Sequence, residues 1–412
     1  MTLVLVCALP IWAAFVTSGD VTNPLVCTAD AAEPSVPVKV STATDLQSNI
    51  DAGNSVKLTK NIDINTALNV TSTLTLDLNG CTLRMTGTGS VLKVSGRATL
   101  TIQDSSAEGT GTITGGNAVD GGGVYVDDYA ALKMTGGCIT GCHASYGGGG
   151  IRSSGNLYMS GTAKIEKCTS NWGSDDAIWN KEGVIYADGG TVDGMVNSQG
   201  TITCSNGTNA NAATVFNKTV YMRGSKYTKR CIEAGTYNGT VENTGSIIGG
   251  TFYGTVRNQK NSMGLNITGS VTGGTFYGPI VNEVGPGQVT GGTFAVTFDR
   301  GDGTKTGPEL VGYKGTVSRP PSDPEKSGHT FTGWYLDDEK YNFDTPVTAP
   351  LTLTAKWEKN PSSGGYYYYP TTDTKTDDTK GSPKTADPGA ALYGALALLS
   401  LTGMVALNGK KR

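Results

Sequence analysis

Charge is scarce in this chain of 412 residues. Asp, Glu, Lys and Arg make up 16% of it, aromatic residues only 8%, and the net charge is −3. No block of Lys or Arg is present to meet a phosphate backbone, which excludes nucleic acid as a partner. Cysteine is thin as well, with eight in all, two of them (Cys7 and Cys27) in an apolar leader. Six in a long mature chain are too few for a disulfide scaffold. The middle of the chain shows no helical spacing, which argues against a helical solenoid. Glycine is what the chain has in plenty: 59 residues, about twice the usual share of roughly 7%.

Those glycines punctuate a repeat. From Gly121 to Val192 the chain reads GGGVYVDDYAALKMTGGCITGCHASY, then GGGIRSSGNLYMSGTAKIEKCTSNW, then SDDAIWNKEGVIYADGGTVDG. Val124, Ile151 and Ile178 recur 27 residues apart, and Ile139, Ile165 and Val192 follow at 26 and 27. Leu132 with Met134, Leu157 with Met159, and Val184 with Tyr186 form a third set. Three short apolar segments per period predict an all-β parallel β-helix, with equivalent residues stacked in interior ladders. Glycine supplies the positive φ that corners need and allows close backbone approach. A disordered glycine-rich tract would need no apolar register.

Ala43 to Ser48 predicts a short amphipathic helix capping the first coil, which would otherwise expose its core and strand edge. Alternating runs such as VKLTKNIDI and VLKVSGRATLTIQDSS read as strands separated by turns. LDLNGCTL followed by ATLTIQDSSAEGTGTITGG resembles the opening coils of pectate-lyase-like right-handed β-helix proteins, particularly bacterial surface proteins. The solenoid is assigned to residues 40–295. After Cys204 the repeat tightens. AGTYNGTVEN starts at Ala234, GGTFYGTVRN at Gly249, GGTFYGPIVN at Gly273 and GGTF at Gly291, which are 15, 24 and 18 residues apart. Smaller or irregular coils are expected there.

At Ala295 the pattern stops. Val296-Thr297-Phe298, GHTFTGWY from Gly328, Tyr341-Asn342-Phe343 and LTAKW from Leu353 resemble the Listeria–Bacteroides (internalin B-type) repeat. That resemblance implies a small β-grasp-like module over 296–358, with His329 where the family carries Tyr. Its aromatics (Phe331, Trp334, Tyr335, Phe343 and Trp357) are enough to core so small a unit. Residues 359–381 hold no aliphatic after Pro361, and read as an extended Thr/Asp/Tyr-rich stalk.

The ends of the chain speak for export. Met1 to Val16 is almost wholly apolar and Ala29-Asp30-Ala31 offers a small-residue cleavage pattern, so 1–32 reads as a signal peptide. No Lys or Arg precedes Lys39, which keeps an uncleaved anchor as the alternative. At the other end, 382–412 carries SPKTA, an uncharged run over 390–407, and Lys410-Lys411-Arg412. The run nearly spans a hydrocarbon core, and the basic end stays inside. This order resembles a sortase sorting signal. Ser382, Pro383, Lys384 and Thr385 stand as its SPKT variant, and Ala386 stands where Gly is usual. The resemblance implies cleavage after Thr385 and transfer to cell-wall peptidoglycan. A plain membrane anchor is the alternative.

Candidate chemistry is weak by comparison. Asp175 and Asp176 are the carboxylate pair to consider for an enzyme, since inverting glycosidases need two acids flanking the sugar. The repeat puts them where neighbouring coils have corner glycines, and the GHG and RIK motifs of β-helix polygalacturonases are absent. Asp127-Asp128 likewise falls in a turn. Cys138, Cys142, His143 and Cys168 can be drawn as a zinc set or, for Cys142 and Cys168, as a disulfide. Stacked Cβ atoms near 4.8 Å exceed the roughly 3.5–4.5 Å a bridge accepts, so they are read as small buried hydrophobes. No metal or cofactor is expected. The reading is a wall-anchored, adhesin-like surface protein without catalysis. Its partners would be sortase, peptidoglycan, and host or dietary glycans or host proteins, offered through exposed Tyr125, Trp179 and Asn180. A wall-anchored polysaccharide lyase or glycoside hydrolase is the alternative.

Overall fold

Alternating apolar and polar residues make each short segment a strand, because successive side chains point to opposite faces. Val56–Leu58, Ile62–Ile64 and Leu68–Val70 each bury their first and third residues. They are the three sides of one coil. In the computed structural model, which describes residues 36–171, 176–198, 200–204, 214–222, 231–259, 269–283 and 288–361, the coils stack into a parallel β-helix. The leader, the stalk beyond Pro361 and the sorting segment lie outside the described residues. The chain divides into two units, Met1–Asn360 and Pro361–Arg412.

Among the described residues, face A holds 11 strands, from Val38–Val40 to Ser270–Val271. Face B follows it in every coil and face C closes the triangle, with 10 strands from Leu68–Val70 to Ile280–Asn282. The expected ladders are present. Val124 pairs with Ile151, and Ile151 with Ile178, all fully buried. Ile113, Ile139, Ile165 and Val192 stack likewise on face B.

One ladder needs correction. Leu157 and Met159 pair with Ile185 and Ala187, not with Val184 and Tyr186. Side chains alternate with period two, so a slip of one residue in the preceding turn exchanges the faces. Tyr186 therefore points outward and stacks on Tyr158, with ring centroids 4.4 Å apart. Asn180 is the converse case. It is fully buried rather than exposed, and its Nδ2 donates to Asn197 Oδ1 at 2.8 Å. Below it on face C, Asn243 Nδ2 donates to Asn258 Oδ1 and Asn258 Nδ2 to Asn282 Oδ1, each at 2.8 Å, so these amide nitrogens are satisfied by the next coil, while Asn180 Oδ1 has no partner among the described residues.

The tightened coils after Cys204 change the filling of face B. Phe216, Tyr237, Phe252 and Phe276 stack in the interior with centroids 5.0, 4.8 and 4.8 Å apart, and Phe294 follows at 5.7 Å. A coil of fewer residues brings fewer side chains inward, and one ring fills what several aliphatics fill above. The GGTF wording follows from this. Gly250 and Gly274 have φ of +96° and +99°, and a Cβ on either would meet a ring of the Phe stack at 3.2 or 3.1 Å.

Both ends are covered. Helix Ala43–Asp51 sits over the first coil with Leu46 and Ile50 buried, and its N-cap Thr42 accepts from the Asp45 N–H. At the other end, strand Thr293–Asp299 runs across the residue-295 boundary. Its start pairs with Thr275–Phe276 of face B, and its remainder pairs with Leu351–Lys359 on the same side and Lys305–Gly312 on the other. The C-terminal module is thus joined to the solenoid through one shared strand. Strands alone build it, around Phe298, Phe331, Trp334 and Trp357 in edge contacts of 5.0–5.5 Å. Tyr335 lies instead beneath Lys356 Nζ, 4.9 Å from its ring centroid.

Because the ring stack is the core of the small coils, Phe252→Ala is expected to cost about 3–5 kcal/mol. Chemical denaturation followed by near-UV circular dichroism checks this. A loss below about 1 kcal/mol would mean that the rings do not carry these coils.

Candidate functional site

Among the described residues, three coils carry an extra strand between faces B and C. Asn117–Asp120, His143–Gly147 and Thr169–Ser170 pair in parallel as a short fourth face. The glycine triplets make the turn from that face into face C. The N–H groups of Gly121, Gly122 and Gly123 donate to the carbonyls of Gly147, Gly148 and Gly149 at 3.1–3.3 Å. A Cβ at Gly122 would lie 2.4 Å from the His143 carbonyl, and one at Gly149 2.2 Å from that of Thr169, so no side chain fits.

The fold of the fourth face against face C leaves an open cleft of about 810 Å³. Asn117, Asp120, His143 and Ser145 line one wall, and Lys93 and Tyr125 the other. His143 Nδ1 lies 3.0 Å from Thr169 Oγ1, which ties the wall to the next coil. Burial pushes the Asp120 carboxyl above its usual range, although the charges of Arg152 and Lys181 and the Gly147 backbone pull it back.

Along face C the outward residues run Lys93, Tyr125, Arg152, Trp179 in register. The Arg152 guanidinium lies 4.5 Å from the Tyr125 ring centroid and 5.9 Å from that of Trp179. Arg152 is only 7% exposed, and its Nε and Nη1 have no hydrogen-bond acceptor. Ring faces compensate a cation only in part, so this is a costly arrangement for a residue that does no more than fill space. Tyr146 meets Trp179 edge-on at 5.0 Å, and Trp179 Nε1 donates to Ser198 Oγ at 2.9 Å. Gly147 makes room for the indole, since a Cβ there would sit 2.6 Å from it.

The acidic pair fares differently. Asp175 lies outside the described residues. Asp176 is no solvated corner residue: it is 4% exposed, and its Oδ2 accepts from the Gly148 N–H at 3.1 Å and Ser170 Oγ at 2.8 Å. It locks the glycine turn to the fourth face. Asp127 does sit in a turn, accepting from Ala130 N–H through its carbonyl, and Asp128 is exposed. Cys142 and Cys168 are buried free thiols stacked on adjacent coils. The Cys142 thiol beside it and burial push the Cys168 thiol far up, and each thiol donates to a backbone carbonyl, Cys142 Sγ to that of Thr140 and Cys168 Sγ to that of Glu166. His143, drawn with them as a zinc set, points instead into the cleft. Ser382, Pro383, Lys384, Thr385 and Ala386 lie outside the described residues.

Asp120, Arg152 and Lys93 went unnoticed as site residues in the sequence. The signal was available one residue beyond the Val124, Ile151, Ile178 ladder, where the same 27-residue spacing reads Tyr125, Arg152, Trp179.

Comparison with known proteins finds one family model and two partial relatives. Residues 294–356 match the Listeria–Bacteroides repeat domain. Two proteins of Evansella cellulosilytica, described as a Gly-rich membrane protein and a membrane protein, are each 37% identical over 71 residues. That is 16% of this chain, and it spans only 8% and 10% of those relatives. No solved structure matches.

An orphaned buried cation is not a stability device. Replacing buried ionic groups with apolar ones of similar volume is commonly neutral or stabilising where no charged partner is left behind, and among the described residues Arg152 makes no ion pair whose loss would leave one. Arg152→Met is therefore expected to unfold within about 1 kcal/mol of wild type, or later than it. A loss of several kcal/mol on urea unfolding would show that Arg152 holds the fold and not the site.

Proposed function

We propose that this is an exported cell-surface protein of adhesin-like type, which displays the β-helix and uses the cleft beside face C to bind a partner. The cleft carries the reading: it joins an open polar cavity to an aromatic wall at Tyr125, with the buried Arg152 cation behind that ring. The surface location is supported by the Listeria–Bacteroides repeat and by relatives described as membrane proteins. Wall attachment rests on the order of SPKTA, apolar run and basic end in the sequence. Host or dietary glycans and host proteins are the partners in view.

The alternative of a wall-anchored lyase or hydrolase draws no support from Asp176, whose carboxylate is engaged with Gly148 and Ser170. An acid held that way is a structural fastener, and general acid–base work needs it within reach of the substrate.

Anchoring is tested by mass spectrometry of muramidase-released wall material from the producing cell. The account expects a peptide ending at Thr385 linked to a wall fragment. Recovery of intact chain ending at Arg412 in the membrane fraction would favour a simple anchor.

A further inference from the structure

We infer that the cleft between the fourth face and face C is a subsite for a neutral saccharide. In it Asp120 accepts from sugar hydroxyls and the Tyr125 ring serves as stacking platform. The inference rests on the binding role proposed above and adds the chemical class of ligand.

The lining decides the class. A sugar hydroxyl both donates and accepts, and the walls offer groups of the same kind: Asn117, Ser145 and His143 can do either. Asp120 adds an acceptor, Lys93 a donor and Tyr125 a flat apolar face. The cleft thus presents one charge of each sign and no net attraction for an anion. Arg152 does not change that balance. It follows Tyr125 in the ladder while Lys93 precedes it, so its charge stands behind the ring and is nearly closed off from solvent. There it acts as a positioning residue, bracing Tyr125 and Trp179. A carboxylated or sulfated sugar would bring a second anion beside a carboxylate already disfavoured by burial. About 810 Å³ falls within the roughly 300–1,000 Å³ of small-ligand sites.

The test presents the full chain to immobilised neutral oligosaccharides (mannan, galactan and β-glucan fragments) and to acidic ones (polygalacturonate, hyaluronan and sialylated chains). Asp120→Asn, Tyr125→Ala and, as a control on another face, Tyr253→Ala are run in parallel with thermal melts. The expected result is retention of a neutral family, at least tenfold weaker for both cleft variants and unchanged for the control. Asp120→Asn, being isosteric, decides if Tyr125→Ala fails to fold. Acidic glycans retained in preference, and lost in the cleft variants, would overturn the neutral assignment and leave the binding role standing. Glycan binding untouched by the cleft variants would remove the cleft from that role. Failure to retain any of these probes would overturn the saccharide assignment, and protein ligands would then decide whether the broader binding role stands.

Discussion

Register between successive coils is the constraint on which everything else depends. In a parallel stack each strand lies about 4.8 Å from the next, so a residue's nearest neighbours are its own equivalents one coil away. Ile151 has no choice but to meet Val124 and Ile178. Like must therefore stack on like. Aliphatics stack through the upper coils, Phe and Tyr through the lower part of face B, and Asn amides along face C. Each type solves the same problem differently: aliphatics and rings exclude water, while the amides must hydrogen-bond each other to be buried at all.

Glycine serves that constraint at the corners. Where the chain turns from the fourth face into face C, backbones come so close that a Cβ would overlap a carbonyl of the next coil. The same closeness creates the cleft. Without the triplets the fourth face would merge into a rounded corner, and Tyr125 and Asp120 would not face one cavity. Structure and candidate function therefore share one cause. The buried Asp176 closes the argument by pinning the turn that the glycines permit.

Much of the fold was legible because register leaves a period. The 27-residue recurrence of Val124, Ile151 and Ile178 names one interior ladder directly, and Ala43 to Ser48 announces its cap, which the structure extends to Asp51. What was not legible turns on single residues. The face on which Tyr186 lies depends on one residue in a turn, and a period-two pattern cannot report that. Asn180 and Asp176 read as solvated because polar residues usually are. Here the neighbouring coil supplies a partner that makes burial tolerable, Asn197 for Asn180 and the Gly148 N–H for Asp176, and both are distant in sequence. The cleft needed the fourth face, whose strand His143–Gly147 carries no signal in the sequence, since HASYG shows no clean alternation.

Hydrogen exchange of the glycine-rich segments tests the account most directly, because composition alone would make them loops. The account predicts slow exchange for the amides of Gly121, Gly122, Gly123, Gly149 and Gly150, each of which donates to the next coil. Protection there should approach that of Val124 and Ile151. Exchange at the rate of an unstructured chain, with the apolar strands still protected, would contradict the corner, the fourth face and the cleft together.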